Sequence, residues 1–125
     1  MIEVVAGILR QGEKVLIARR AAHKSLPGKW EFPGGKREPD ESPEIALERE
    51  LFEEFGVQTK TGEHICTHHH DYGTFQINLH AYASQWLSGE FLLSDHDQIA
   101  WVSIEELQYY ELAEADLPIV KHLYF

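Results

Sequence analysis

The chain has 125 residues, 43% of them hydrophobic, which is too many for a disordered segment and enough for one domain with its own core. Its formal net charge of −10 argues against a polymeric nucleic acid as partner, and no apolar run is long enough to cross a membrane. Met1-Ile2-Glu3-Val4-Val5 lacks the basic start of a signal peptide, and the single Cys66 excludes an intrachain disulfide, so the expectation is a single cytoplasmic domain over 1–125.

In chain order, Ile2–Arg10 reads as a buried strand, Gln11-Gly12 as a turn and Lys14–Arg19 as a second strand, together a hairpin. Residues 20–29 form a polar loop with Pro27-Gly28. Lys29–Phe32 is a short extended piece broken by Pro33-Gly34-Gly35. A helix follows, with Ser42 as N-cap, Pro43 at its first position, Glu44 in its first turn and Gly56 as C-cap. At about 100° per residue, Ala46, Glu50, Glu53 and Glu54 share one sector, with Ala46 leaving space beside the carboxylates. Ile45, Leu47, Leu51, Phe52 and Phe55 form a broad opposite arc for packing on a sheet. Glu48 falls inside that arc, where the periodicity gives it no role.

Residues 63–70 and 74–86 read as strands around Asp71-Tyr72-Gly73, and Gln98–Val102 as another. Ser103-Ile104-Glu105-Glu106 is a capping box opening a short helix, and Asp116-Leu117-Pro118 begins a C-terminal helix running almost to Phe125. This order lacks regular βαβ alternation and predicts a mixed sheet with helices on its faces. His68-His69-His70 lies in a strand, where neighbouring side chains point to opposite faces, so the three cannot converge on one ion.

The charge is unevenly placed. Eight of the eleven basic residues lie in the first 37 positions, and eight of the 21 acids fall between Glu38 and Glu54. A basic segment next to an acidic helix suits a small phosphate-bearing ligand. Glu50, Glu53 and Glu54, at i, i+3 and i+4, crowd one helix face and repel each other unless a cation is present. A hard divalent ion such as Mg²⁺ suits those oxygens.

The stretch Gly35–Val57 carries Gly35, Glu41, Arg49-Glu50-Leu51, Glu53-Glu54 and Gly56-Val57 at the spacing G-x5-E-x7-R-E-U-x-E-E-x-G-U, where U is aliphatic. It resembles the Nudix box at every fixed position. Val5–Ile8, Ala18–Ala21, Trp30–Lys36 and Leu112–Pro118 extend the resemblance over nearly the whole chain, toward MutT-like enzymes and the branch associated with cytidine and oxidised nucleotides.

The resemblance implies an α/β fold, the Nudix α/β/α sandwich with a mixed β-sheet. It also implies cleavage of a nucleoside triphosphate to the monophosphate and pyrophosphate, using Mg²⁺ or Mn²⁺. Such an enzyme would clear modified nucleotides from the pool, working on a free nucleotide as a monomer or homodimer. Glu50, Glu53 and Glu54 would hold the metal with the backbone carbonyl of Gly34. Glu50 would be a candidate base, and Arg49 would orient the glutamates. Glu41 would brace the loop or simply favour the helix N-terminus. Asp95 stands six residues before Trp101, where relatives usually have Glu, and would ligate directly or through water. Arg20 and Lys36 would meet the phosphates. Phe32, Tyr72 and Phe75 would stack on a base or belong to the core.

Asp116 would either read the base or cap the last helix. As an ionised acceptor it would prefer an amino edge such as cytosine N4. Two other expectations stay open: a Nudix hydrolase of ADP-ribose, a dinucleoside polyphosphate or capped RNA, and a non-catalytic nucleotide-binding module.

Overall fold

The computed structural model describes residues 1–123. The elements in order are β1 (Ile2–Gln11), β2 (Lys14–Arg20), β3 (Trp30–Glu31), β4 (Gly34–Lys36), α1 (Pro43–Phe55), β5 (Gln58–Asp71), β6 (Gln76–Ser88), β7 (His96–Ser103), a 3-10 turn (Glu105–Tyr109) and α2 (Leu117–Val120). The seven strands form one mixed sheet, parallel between β1 and β6 and antiparallel elsewhere.

The apolar run of β1 follows from burial on both faces. Val5 and Leu9 point to one side, where they meet Leu16 and Ala18 of β2 and Leu47, Leu51 and Phe55 of α1. Ala6 and Ile8 point to the other, where Val15, Ile17, Leu107, Ile119 and Leu123 complete a second core. The expected two-sided α/β architecture is therefore present, with α1 on one face and the 3-10 turn and α2 on the other.

The expected hairpin is present but short. β1 and β2 pair only at Arg10↔Val15 and Gln11↔Lys14, next to the turn. Each then leaves for a longer ladder. β1 runs parallel to β6 from Ile2↔Ile77 to Leu9↔Ser84, and β2 runs antiparallel to β7. The segment after β3 crosses this opening, where the Gly7 N–H donates to Pro33 O at 2.7 Å. Gly34 and Gly35, expected with Pro33 as a break, instead join Lys36 in pairing with Val4–Ala6 as β4. A Cβ on Gly34 would collide with the Val5 carbonyl and lie 2.8 Å from Ala6 Cα, so only glycine allows this approach.

α1 begins and ends as its sequence predicts. Ser42 Oγ accepts from Ile45 N at 3.2 Å, and Gly56 closes the helix at φ 72°. Its faces need correction. Ala46 is fully buried in the core, so it opens no space beside the carboxylates. Ile45 and Phe52 are each 56% exposed, because the sheet covers a stripe narrower than the apolar arc. Glu48 acquires a role: it accepts from Thr61 N at 2.9 Å, where a bulge in β5 frees that N–H from the ladder.

The capping box is reciprocal, with Ser103 N donating to Glu106 Oε1 at 2.9 Å and Glu106 N to Ser103 Oγ at 3.2 Å. The C-terminal helix stops at Val120. His122 N and Leu123 N then donate to carbonyls three residues back, a tight turn that brings Leu123 into the core. The end of the expected helix, positions 124–125, lies outside the described residues. Among the described residues no helix is long and apolar enough to cross a membrane.

The pattern treats Phe52 and Phe55 alike, but the fold separates them. Phe55→Ala is expected to cost about 3–5 kcal/mol in chemical denaturation and Phe52→Ala less than about 1 kcal/mol. Equal losses would contradict this packing.

Candidate active site

A cavity of about 350 Å³ opens where β1 and β2 part, between α1, the loop before β3 and the segment leading into α2. It gathers most of the residues expected from the sequence. Gly34, Lys36, Glu50, Glu54, Asp95, Arg20, Phe32 and Asp116 all line it, as do Tyr72 and Phe75. Glu53 and Arg49 are not among its lining residues.

Arg49 organises the carboxylate side. Its guanidinium grips both oxygens of Glu41, with Nε to Oε2 at 2.9 Å. Nη1 reaches Glu50 Oε1 and Glu53 Oε2, each at 3.1 Å, and Nη2 donates to Lys36 O at 3.0 Å. These contacts hold Arg49 firmly protonated and, with the Glu38 N–H, pull Glu41 down to about 2. Glu41 accepts that N–H at 2.9 Å, so it braces the loop before α1. Gly35 leaves the Glu50 carboxylate its place, since a Cβ there would push that side chain aside.

Glu54 is left out of this arrangement. Its Oε2 is buried with no hydrogen-bond partner, and the equally unpartnered His96 Nδ1 lies 3.9 Å away. Burial first, then the charges of Glu31, Glu50 and Asp95, push Glu54 up to about 8. Burial also raises Glu50, partly offset by Arg49. An orphaned buried carboxylate oxygen beside a second, half-buried carboxylate fits a hard divalent cation. Of the expected ligands, Glu50, Glu54, Gly34 and Asp95 border this space. Asp95 sits 3.7 Å from Lys24 Nζ, while Asp97 is drawn away to Arg19 at 2.7 Å.

Behind the carboxylates lies a network that the sequence did not reveal. Arg20 Nη1 meets both oxygens of Glu31 at 3.1 Å, its Nε donates to Ser25 O, and its Nη2 donates to Ser25 Oγ at 3.0 Å. Arg20 therefore reaches the cavity inside a half-buried ion pair. His96, only 3% exposed, places Nε2 at 2.7 Å from Glu31 Oε2 and stacks on Phe55. Glu31 and His96 were missed. Glu31 had one signal, as the lone carboxylate of a two-residue strand between two buried aromatics. His96, inside Ser94-Asp95-His96-Asp97, had none.

Asp116 is 6% exposed. Its Oδ2 accepts from Phe32 N at 2.9 Å, and it makes no side-chain cap bond to α2. The helix-cap reading is thus overturned, because the side chain bonds the Phe32 N–H instead. Burial, then Glu31, pushes Asp116 well above the usual carboxylate range. A neutral Asp116 donates as well as accepts, which changes the premise of the base-reading argument. Beside it, the Tyr72 hydroxyl accepts from Ala115 N at 3.1 Å, and Tyr72 stacks on Phe75 at 5.0 Å. Phe32 is only 3% exposed and sits mainly in the core.

The raised Glu54 sets a sign for metal affinity. Below about pH 8 the metal-free carboxyl keeps its proton, and a cation must displace it. Mn²⁺ affinity is expected to strengthen up to about tenfold per pH unit between pH 6 and 8 and then level off. Glu54→Gln should flatten that dependence. For the metal-free fold, the unfolded carboxyl titrates near 4.5, so this group's contribution to stability falls as pH rises from there to about 8. Calorimetric Mn²⁺ titrations across this range test the first statement; a pH-independent affinity would contradict it.

Known proteins match this chain along nearly its whole length. The family model described as NUDIX domain matches residues 4–122. The chain is 42% identical over 121 residues to the CTP pyrophosphohydrolase of Escherichia coli K12, covering 97% of this chain and 90% of that protein. It is 37% identical to a putative 8-oxo-dGTP diphosphatase 2 of Mycobacterium tuberculosis, covering 90% of this chain and 81% of that one. The solution structure of the E. coli ORF135 protein superposes with a TM-score of 0.84 at 41% identity, covering 98% of this chain and 87% of that chain. With its box intact and its carboxylates gathered at the cavity, the chain belongs to the NUDIX domain family and is a Nudix hydrolase.

Proposed function

We propose that this chain is a Mg²⁺- or Mn²⁺-dependent pyrophosphohydrolase of free nucleoside triphosphates, acting on cytosine-type or oxidised nucleotides in the cytoplasm. The observation that carries the reading is one cavity joining the unpartnered Glu54 carboxylate, and Glu50 beside it on Arg49, to a stacked aromatic pair and Asp116. The substrate class follows the relatives named for CTP and 8-oxo-dGTP.

The cation would be held by Glu50 and Glu54, with Glu53, the Gly34 carbonyl and Asp95 completing the set directly or through water. When bound, it neutralises phosphate oxygens and lowers the pKa of the attacking water. Glu50, oriented by Arg49, takes the proton from that water. The water oxygen bonds to phosphorus in the α–β anhydride and the anhydride P–O bond breaks, giving the monophosphate and pyrophosphate. Lys36 and Arg20 bring positive charge to the phosphates; Arg20 does so while tied to Glu31. The base lies against Tyr72 and Phe75. With Oδ2 held by Phe32, Asp116 offers its other oxygen to the base edge.

The test is pyrophosphate release from CTP, dCTP, 5-methyl-dCTP and 8-oxo-dGTP with either metal. Turnover is expected, with Glu50→Gln lowering kcat by at least about 10²-fold. Preference for ADP-ribose over every triphosphate would overturn the substrate class. Tight binding without turnover would instead indicate a binding module. Asp116→Asn is expected to move the cytosine-to-8-oxoguanine ratio of kcat/KM by roughly 10- to 100-fold. No movement would leave Asp116 as a clamp on Phe32.

A further inference from the structure

Away from the cavity, the strand that carries the three consecutive histidines holds a different constellation. The histidines themselves disperse: His69 turns to Gln76 at 3.0 Å, and His70 turns to Glu114 at 3.2 Å and packs on Tyr72. His68 shares its face of β5 with Cys66, two residues earlier. The turn after α2 brings His122 onto the same spot, with His68 Nε2 and His122 Nε2 3.1 Å apart and their rings 5.3 Å apart. The Cys66 sulfur completes a set of three ligand atoms lying within 4.8 Å of one another.

The geometry points to a second metal site, in which Cys66 Sγ, His68 Nε2 and His122 Nε2 bind a zinc-class divalent cation. Thiolate with two imidazoles is a borderline-soft donor set, suited to zinc and unlike the all-oxygen set of the cavity. A tetrahedral ion with bonds of about 2.0–2.3 Å needs its ligands roughly 3.3–3.8 Å apart, so the facing nitrogens need only a small separation. In the metal-free protein one imidazole N–H donates to the other ring. The cation replaces that contact with two lone-pair bonds, using the tautomer of each ring with its proton on Nδ1. Cys66 gives up its thiol proton to solvent. Burial and His122 favour the neutral, ligating form of His68; burial holds the Cys66 thiol protonated, and nearby Lys121 opposes this. The fourth position is open to water.

Such an ion would tie β5 to the turn closing α2, whose first residue follows Asp116 directly. The site does not depend on the function proposed for the cavity.

The test is zinc binding by the full chain, measured by equilibrium dialysis in saturating Mg²⁺ to fill the carboxylate site. About one equivalent of zinc is expected for the wild type and for Glu54→Gln. Cys66→Ser and His122→Gln should each lose it while keeping their circular dichroism and hydrolase activity. With Co²⁺ in place of zinc, a thiolate-to-cobalt charge-transfer band should appear and be absent in Cys66→Ser. Undiminished zinc binding in both variants, no zinc bound by the wild type, or a cobalt complex without that band would overturn the site. His122→Gln leaves the buried cysteine in place, so the outcome does not hang on whether Cys66→Ser folds.

Discussion

One guanidinium is shared by three carboxylates, and a fourth receives none of it. Arg49 binds Glu41, Glu50 and Glu53 while its remaining N–H holds the Lys36 carbonyl, so β4 and α1 are fixed to each other through a single planar group. Bidentate, charge-assisted bonds of this kind are among the strongest a side chain makes. Glu54 is beyond its reach. Holding that carboxyl at about 8 corresponds to roughly 5 kcal/mol against ionisation. A site that carries this much uncompensated cost is set up to be neutralised by a cation rather than by another part of the chain.

The backbone makes that arrangement possible. β1 and β2 separate after two residue pairs, and the chain passes through the gap between them. Two glycines line the crossing for different reasons. Gly34 must lie against β1, and Gly35 must leave room for Glu50. The cavity is therefore a consequence of strand divergence, and at Gly34 its lining is backbone that no larger residue could form.

Glu31 couples the two ends of the cavity. It is held by Arg20 and His96, and its charge raises both Glu54 and Asp116. Protons at the Glu54 end and at the Asp116 end are thus linked through one carboxylate. A change of charge at Glu54 is therefore felt at Asp116.

Much of the fold and of the catalytic class was legible in the sequence. Caps, the capping box and the box spacing are local, since each depends on residues within a turn or two of one another. Ser42, Gly56, Ser103 and the helix carrying Glu50, Glu53 and Glu54 were read correctly for that reason. Three other features were not local. Which of Phe52 and Phe55 is buried depends on the width of the sheet beneath α1. Asp116 bonds Phe32, 84 positions away in sequence, and not its own helix. Glu31, His96 and the Cys66–His68–His122 group meet only because β3, β5, β7 and the last turn converge. The sequence by itself determined the helix, its carboxylates and hence the reaction class, because short-range spacing suffices for those. Tertiary structure alone decided which carboxylate stays without a partner and which groups line the cavity, because burial and long-range pairing set both charge state and direction.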